Sequence, residues 1–417
     1  MKTKIGILSA DYQGELLAKI LLKKGFEVTI LSEGNAVKHF SDFNNLNSLG
    51  FCSLFSLSND NIKFARKVLD LNIKKTIQEK YLLIDTTVYK YPLQAKELLK
   101  QTNLKFILSS IKGLIYGYFK IIKVSNYEQY VKKCYGNTLF NFYFEKYLKN
   151  EFPEILISDL DVELVYRRVQ YRTMYNMIKK IVFKNNENIY NTKYYYSAHI
   201  DELLFNKQFK DEHLRIENIN INKIAYDGVY HVYYSTNSTK HEISFDKIYS
   251  LLPITKLYNL LYPQEKYKEL HWAHEYVYSF QIKNCCKDFP DGLFYVANSN
   301  VPFFQLSKMK ISSNEHLCNV ICNTNSFTNK LDLKNRIWDY FNSINLADSM
   351  SVLISCTYYL FEYNKPILIC GFDIIYKKIF SKIEMETKID LFGTKAKFEE
   401  FSFDKIVNEL MLIDKTI

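Results

Sequence analysis

Glycine and proline are scarce in this chain, at 12 and 7 of 417 residues. Tyr and Phe are plentiful, and Lys, Ile and Asn are common. That bias reads as the signature of an AT-rich coding sequence, not as chemistry. The shortage still matters, because dinucleotide-binding folds place glycine at their phosphate turns. Long apolar runs are missing as well. No uncharged stretch reaches the ~20 residues that cross a bilayer. Asp11 and Glu15 interrupt the apolar run that follows Lys4, so no signal peptide is expected and a cytoplasmic protein is. The eight cysteines form no CxxC pair with a second half elsewhere. Cys318 and Cys322 lie four apart and Cys285 and Cys286 are adjacent, which reads as reduced thiols in a cytosolic protein. The net charge of +10 comes from scattered lysines with no basic block, so a nucleic-acid partner is not expected. Anionic small molecules and an anionic membrane surface remain compatible with it. The sequence holds neither a Gly-x-Ser-x-Gly elbow nor a P-loop.

The first thirty-odd residues organise the rest. Ile5, Ile7 and Leu8 are a short apolar run, and Ser9-Ala10-Asp11-Tyr12-Gln13-Gly14 makes a turn. Leu16, Leu17, Ile20 and Leu21 recur at helical spacing, Gly25 ends the helix, and Val28–Leu31 is a second strand. This is the βαβ opening of a dinucleotide-binding fold. At this length the chain can bury a large core in two intertwined domains, and no internal repeat or low-complexity linker divides it.

Downstream, a helix is expected from about Ile62 to Leu71, capped by Asn59 or Asp60. Two short strands are expected over 81–89, and a helix runs on from Tyr91-Pro92-Leu93-Gln94. Residues 112–178 read as helical, with a cap signature in Ser125 and Glu128. Phe140, Tyr143, Phe144 and Tyr147 stripe one helix as a packed face. Arg167, Arg168 and Arg172 cluster on another, as a solvated face or part of an anion site. A strand-rich stretch follows, with turns at Asp227-Gly228 and Asn237-Ser238, and then a buried strand at Phe245–Pro253. Further strands are expected over 273–283, 293–297, 317–324 and 352–361, and helices over 332–345, 372–383 and 403–412.

Taken in order, these segments resemble the flavin-dependent amine oxidase superfamily, in its protoporphyrinogen-oxidase-like and UDP-galactopyranose-mutase-like branch. Lys4–Glu33 is similar to the opening dinucleotide unit of that family. Gly50-Phe51 before Asn59-Asp60 resembles its Gly-Gly segment, and Tyr91-Pro92-Leu93-Gln94 resembles its Tyr-Pro-Phe-Gln element. Phe245–Pro253 resembles the strand that returns to the substrate domain. Asn300–Gln305 resembles a Pro-Phe-x-Arg segment, and Gly393–Leu410 the C-terminal flavin segment. The resemblance implies an α/β fold, in which a Rossmann-like FAD/NAD(P)-binding domain (1–60, 195–260 and 365–417) is interleaved with a mixed α+β substrate domain (61–194 and 261–364). It implies FAD near Ser9, Ala10, Asp11, Gly14, Ser32, Glu33, Gly393, Thr394 and Asp404. It places Tyr91, Gln94, Arg168 and Gln305 nearest a substrate cleft.

The departures from the family fall where the cofactor would touch. Of the three glycines in the phosphate turn, only Gly14 is kept, with Ser9 and Asp11 at the others. Asp11 adds a negative charge beside the phosphates, and like unit charges ~4 Å apart repel by about 4 kcal/mol at an effective dielectric of ~20. Ser32 stands where the ribose-binding acid belongs. Glu33 is next along the strand and points to the opposite face unless a bulge intervenes. Thr394 and Gln305 each replace an arginine, and Tyr195–Ile200 occupies the place of a Gly-Gly turn. Asp404 and Gly14 are retained, but helix capping and close packing account for both.

Two readings follow. In the first, the chain is an FAD-dependent enzyme of mutase or oxidoreductase type, acting on a nucleotide- or lipid-linked sugar or a related small metabolite in glycan biosynthesis. In the second, the scaffold has lost FAD and serves as a ligand-binding or partner protein. FAD-independent catalysis in the old cleft is a third possibility. Homo-oligomers are compatible with any of these. No metal site is expected. His271 and His274 in His-Trp-Ala-His-Glu are spaced by three, not by the four that a zinc helix needs, and a strand follows at once. Asp159 and Asp161 read as a surface charge cluster near Arg167 and Arg168.

Overall fold

The computed structural model describes residues 2–9, 12–33, 54–56, 58–71, 73–76, 79–91, 103–119, 124–168, 194–197, 214–265, 267, 270–323, 330–399 and 403–417. The opening unit is β1 (Lys4–Leu8), the helix Tyr12–Lys23 and β2 (Glu27–Glu33). Next come β3 (Leu54–Ser56), the helix Asn59–Lys67, β4 (Ile73–Thr76) and the hairpin of β5 (Lys80–Ile84) and β6 (Thr87–Lys90). A helical region holds Leu104–Phe119, Tyr127–Leu139, a π-helical turn at Phe140–Phe144, Glu145–Glu151 and Val162–Arg168. After β7 (Tyr194–Ser197) the chain forms a meander of β8 (Leu214–Tyr226), β9 (Tyr230–Thr236) and β10 (Thr239–Phe245). β11 (Lys247–Ser250) leads into the helix Ile254–Leu261. The second large sheet uses β12 (His271–Lys283), β13 (Gly292–Ala297), β14 (Phe303–Lys310) and β15 (Glu315–Asn323). It is completed, after the helix Lys330–Ser343, by β16 (Val352–Ile367). The helix Phe372–Thr387, β17 (Asp390–Leu391) and the helices Gly393–Ala396 and Phe403–Thr416 close the chain.

The first sheet has the order β10-β9-β8-β2-β1-β11-β17, and its five strands from β8 to β17 are parallel. Ile5, Ile7, Leu8, Val28, Ile30 and Leu31 are all buried, as befits parallel strands covered on both faces. The helix Tyr12–Lys23 buries Leu16, Leu17, Ile20 and Leu21 on one side of this core. Ile406, Val407 and Leu410 of the last helix join the same cluster. So do Ile62 and Ala65 of the helix Asn59–Lys67, which straddles the expected domain boundary at residue 60. Burying each such leucine or isoleucine contributes roughly 1.5–3 kcal/mol.

The second sheet has the order β16-β12-β15-β14-β13-β5-β6, antiparallel except where β13 runs parallel to β5. The helix Lys330–Ser343 packs Leu333, Ile337 and Phe341 against Phe280, Phe294 and Val320 of this sheet. The segment 140–151 packs on it as well. Asn150 Nδ2 donates to the carbonyls of Asn298 and Phe303 at 2.8 and 3.2 Å, and Tyr147 meets Phe304 edge-on.

Two helix caps differ from the sequence-based expectation. Ser58, not Asn59 or Asp60, caps the helix Asn59–Lys67 by accepting from Asn61 N–H. Asn126, not Ser125, caps the helix Tyr127–Leu139 by accepting from Gln129 N–H, while Ser125 N–H and O–H both donate to Gln129 Oε1. In each case a neighbour of the same chemical type takes the extended backbone that a cap requires. Both helices are present, but the first runs over Asn59–Lys67 where about Ile62–Leu71 was expected, and the second starts one residue later than its expected cap implies.

Candidate functional site

Open α/β sheets bind ligands outside the carboxyl ends of their strands, where the strand order reverses. Here β2 lies on one side of β1 and β11 on the other, so the reversal falls between β1 and β11. The residues after those strands, Ser9 and Leu251, are buried. Ser9 N–H donates to Leu31 O and Leu251 N–H to Leu8 O, so the ladder extends past the strand ends.

Three groups expected to hold a dinucleotide are placed here, and each is engaged by the protein itself. At the first, a Cβ added to Gly14 would lie 2.4 Å from Ser9 Oγ and 2.6 Å from Ser9 Cβ. Gly14 thus keeps its role in close helix–strand packing, with the Ser9 side chain as its packing partner. A glycine in place of Ser9 would leave that space open.

At the second, Gln13 spans the crevice. Its Oε1 accepts from Thr394 N–H at 3.3 Å, and its Nε2 lies 3.5 Å from Thr394 Oγ1. Gly393 has φ +82°, the left-handed region, and a Cβ there would sit 2.1 Å from Gln13 Oε1. The turn after β1 and the C-terminal turn therefore come together as the resemblance implied, but a glutamine amide joins them directly.

The third is the end of β2. The pairing of β2 with β8 shifts register between Leu31 and Glu33, and Asn218 on β8 has φ +56°. The extra residue therefore sits on the β8 side. Glu33 Oε1 accepts from Ile221 N–H at 3.0 Å, and Oε2 forms an ion pair with Lys256 of the helix Ile254–Leu261. Its carboxylate belongs to the sheet and its flanking helix. Ser32 is buried, and its Oγ, like Ser250 Oγ, has no hydrogen-bond partner among the described residues. Leaving a buried hydroxyl unsatisfied costs about 1–3 kcal/mol, and strand alternation puts these two on opposite faces of the sheet.

Asp404 lies in the first turn of the last helix. Its Oδ1 accepts from Ser58 N–H at 3.2 Å and from the Asn61 amide at 2.7 Å, tying that helix to the start of the helix Asn59–Lys67. Ala10, Asp11 and Gln94 lie outside the described residues, as do the side chain of Arg168 and the Gly50-Phe51 segment. The residues described around β1, β2 and the C-terminal turn fit the diphosphate and ribose of FAD poorly. Side chains of the protein fill the approach to Gly14 and to Gly393, and the neighbouring acid is already paired.

On the second sheet, the structure brings two of the expected substrate residues together. Tyr91 stacks at a tilt on Tyr295, with ring centroids 5.5 Å apart, and Gln305 sits directly opposite Tyr295 in the β13–β14 register. Tyr147 approaches Tyr295 edge-on, and Tyr143 stacks on Tyr147. Burial pushes the Tyr143 hydroxyl well above its ordinary range, and the nearby Tyr91 and Tyr295 hydroxyls push it further. The Tyr143 phenol stays neutral, and the cluster offers donors, acceptors and ring faces. The expected packed face of Tyr143 and Tyr147 is present, and its tyrosines also join this cluster. Tyr295 was not legible as a site residue, because only the strand pairing places it between Tyr91 and Gln305.

Behind this cluster lies a charged group that the sequence did not announce. Lys365 Nζ is 3.2 Å from Glu275 Oε1 and 3.8 Å from Glu151 Oε1, and it lies over the Phe304 ring. Glu275 belongs to the His-Trp-Ala-His-Glu stretch, which is strand β12 and not a helix. Asp161 Oδ1 accepts from Glu163 N–H, holding the start of the helix Val162–Arg168.

No known family profile matches the chain, and no curated protein matches it in sequence. Solved structures do match it across its whole length. The reduced form of a UDP-galactopyranose mutase superposes with a TM-score of 0.80 at 13% identity, covering 100% of this chain and 93% of that one. A protoporphyrinogen oxidase-like protein from Exiguobacterium sp. 255-15 gives 0.69 at 10% identity, covering 100% and 98%. Cyclohexylamine oxidase from Brevibacterium oxydans gives 0.62 at 10% identity, covering 100% and 99%. At this level of identity the likeness establishes the fold.

Proposed function

We propose that this chain, which has the fold of the flavin-dependent oxidoreductases, is a ligand-binding or partner protein that does not load FAD in the usual cradle. The observation that carries this reading is Gln13, whose amide joins the turn after β1 to Gly393 and Thr394 across the strand-order reversal. Ser9 against Gly14, and Glu33 committed to Lys256 and Ile221, point the same way. The ligand is a small hydroxyl-rich metabolite, a nucleotide- or lipid-linked sugar being the best match. The Tyr91, Tyr143 and Tyr295 phenols and rings on the second sheet suit sugar oxygens and sugar faces. Free thiols among the described cysteines favour a cytoplasmic setting.

The test is purification followed by FAD titration. The protein should be colourless, with no visible flavin band even at millimolar FAD, while the combined variant Ser9→Gly, Asp11→Gly, Gln13→Ala and Ser32→Glu should gain FAD affinity. Stoichiometric flavin in the wild-type protein overturns the proposal.

A second reading is an FAD-dependent mutase or oxidoreductase on the same small substrates. The whole-length superposition on UDP-galactopyranose mutase, with Gly14, the left-handed Gly393 and Asp404 all in place, favours it. Bound flavin would supply the redox or covalent chemistry, and the tyrosine cluster would orient substrate hydroxyls.

A further inference from the structure

We propose that the outward face of the helix Leu104–Phe119 seats the protein on an anionic lipid surface. The helix packs inward through its small residues. A Cβ on Gly113 would lie 3.3 Å from Gly136 Cα, and one on Gly117 would lie 2.3 Å from Lys133 O, so this side lies hard against the helix Tyr127–Leu139. Ser109 Oγ bonds Thr138 Oγ1 at 2.9 Å, beside the same contact. At 100° per residue, Leu104, Leu108, Ile111 and Ile115 fall on the opposite side. They are 69, 58, 49 and 45% exposed, and Phe119 extends the stripe at 71%. An amphipathic helix of a soluble protein normally turns its apolar stripe to the core. Here the stripe is turned away from the core over about 24 Å of helix, at 1.5 Å per residue.

Charge selects the occupant. Lys105 and Lys112 are exposed along one border of the stripe, where their stems can lie on apolar surface while their ammonium groups reach outward. Between Leu98 and Tyr127 the sequence has no Asp or Glu, and Lys100, Lys105, Lys112, Lys120 and Lys123 are its only charges. A second copy docked on this stripe would bring like charges together. An anionic bilayer surface meets the same lysines favourably, and the apolar side chains enter the headgroup boundary. No helix among the described residues is long and apolar enough to cross a membrane, so the contact is a peripheral one. The proposal does not depend on whether the protein binds flavin.

The test is sedimentation of the full chain with vesicles of phosphatidylcholine alone or mixed equally with phosphatidylglycerol. Binding should be confined to the anionic vesicles and should fall as salt rises. The variant Leu108→Asp/Ile111→Asp should lose roughly tenfold or more of that binding, with an unchanged circular dichroism spectrum and melting midpoint, because both residues are exposed. Lys105→Glu/Lys112→Glu, which leaves the stripe intact, should likewise lose roughly tenfold or more. Absence of wild-type binding to anionic vesicles overturns the proposal, as does equal binding by both variants. A dimer seen by light scattering that Leu108→Asp dissociates, without vesicle binding, also overturns it and assigns the face to a second copy.

Discussion

The ligand edge of the first sheet and the interior of the second hold their polar groups in opposite ways. At the edge, Gln13, Glu33 and Asp404 reach across to distant segments, and several of their bonds are long, at 3.2–3.5 Å. In the second sheet, Glu151 and Glu275 are almost wholly buried and share Lys365. The edge contacts join segments distant in sequence through single polar side chains, whereas the interior group cannot lose one partner without leaving a buried charge uncompensated. Packing of apolar strands holds the scaffold in both regions.

The largest expected effect comes from breaking the interior group. Lys365→Met removes the cation and leaves two buried carboxylates facing the space it held. Breaking a buried ion pair from one side costs about 3–5 kcal/mol. Chemical denaturation should show the loss as a lower midpoint, and Lys365→Met/Glu275→Gln should recover part of it. If Lys365→Met unfolds at the wild-type midpoint, the group is as tolerant as the edge and the contrast fails.

A smaller effect is expected at the edge. Gly14→Ala places a methyl group against Ser9, which can move only by disturbing the β1 turn. Overpacking of this kind costs about 1–3 kcal/mol. Ser9→Gly in the same background should remove most of that cost, because the two side chains compete for one space. Additive effects of the two substitutions would show that Ser9 does not fill the approach to Gly14, which would remove one support for a flavin-free site.

Much of the fold was legible because its signals are local. The apolar run at Ile5–Leu8, the helical spacing of Leu16 to Leu21 and the turns at Asp227-Gly228 and Asn237-Ser238 each fall within a few residues. The site was legible mainly as loss. Ser9 and Ser32 marked where the chain departs from the pattern it resembles, but not what those positions meet in the fold. Gln13 meets Thr394 across 381 residues, and Lys256 meets Glu33 only because the helix after β11 returns over β8, the neighbour of β2. Tyr295 looked like an ordinary strand residue and Lys365 fell beyond the strand expected over 352–361, until the register put them beside Tyr91, Gln305 and Glu275. Composition and periodicity report on neighbours in sequence, and these contacts join segments that only the complete topology brings together.

The smallest effect sharpens the comparison from the side of exposed charge. His231 on β9 bonds Glu242 of β10 at 2.9 Å and Asp227 at 3.3 Å. The hydrogen bond to Glu242 raises its pKa above the ordinary histidine value, and Asp227 adds to this. The folded state therefore holds the proton more tightly than the unfolded chain. The resulting stability is fully present below the unfolded value of about 6.5 and is lost as pH rises through the folded pKa. Wild type should accordingly lose its melting-temperature advantage over His231→Gln as pH rises from about 6.5 through the raised folded-state pKa, with a smaller change at high salt. The Lys365→Met loss should persist over that range, because it comes from removing a buried cation from its partners and involves no histidine. If the His231 advantage instead grows with pH, its partners do not stabilise the imidazolium, and this hairpin does not behave as a solvent-screened counterpart to the buried group.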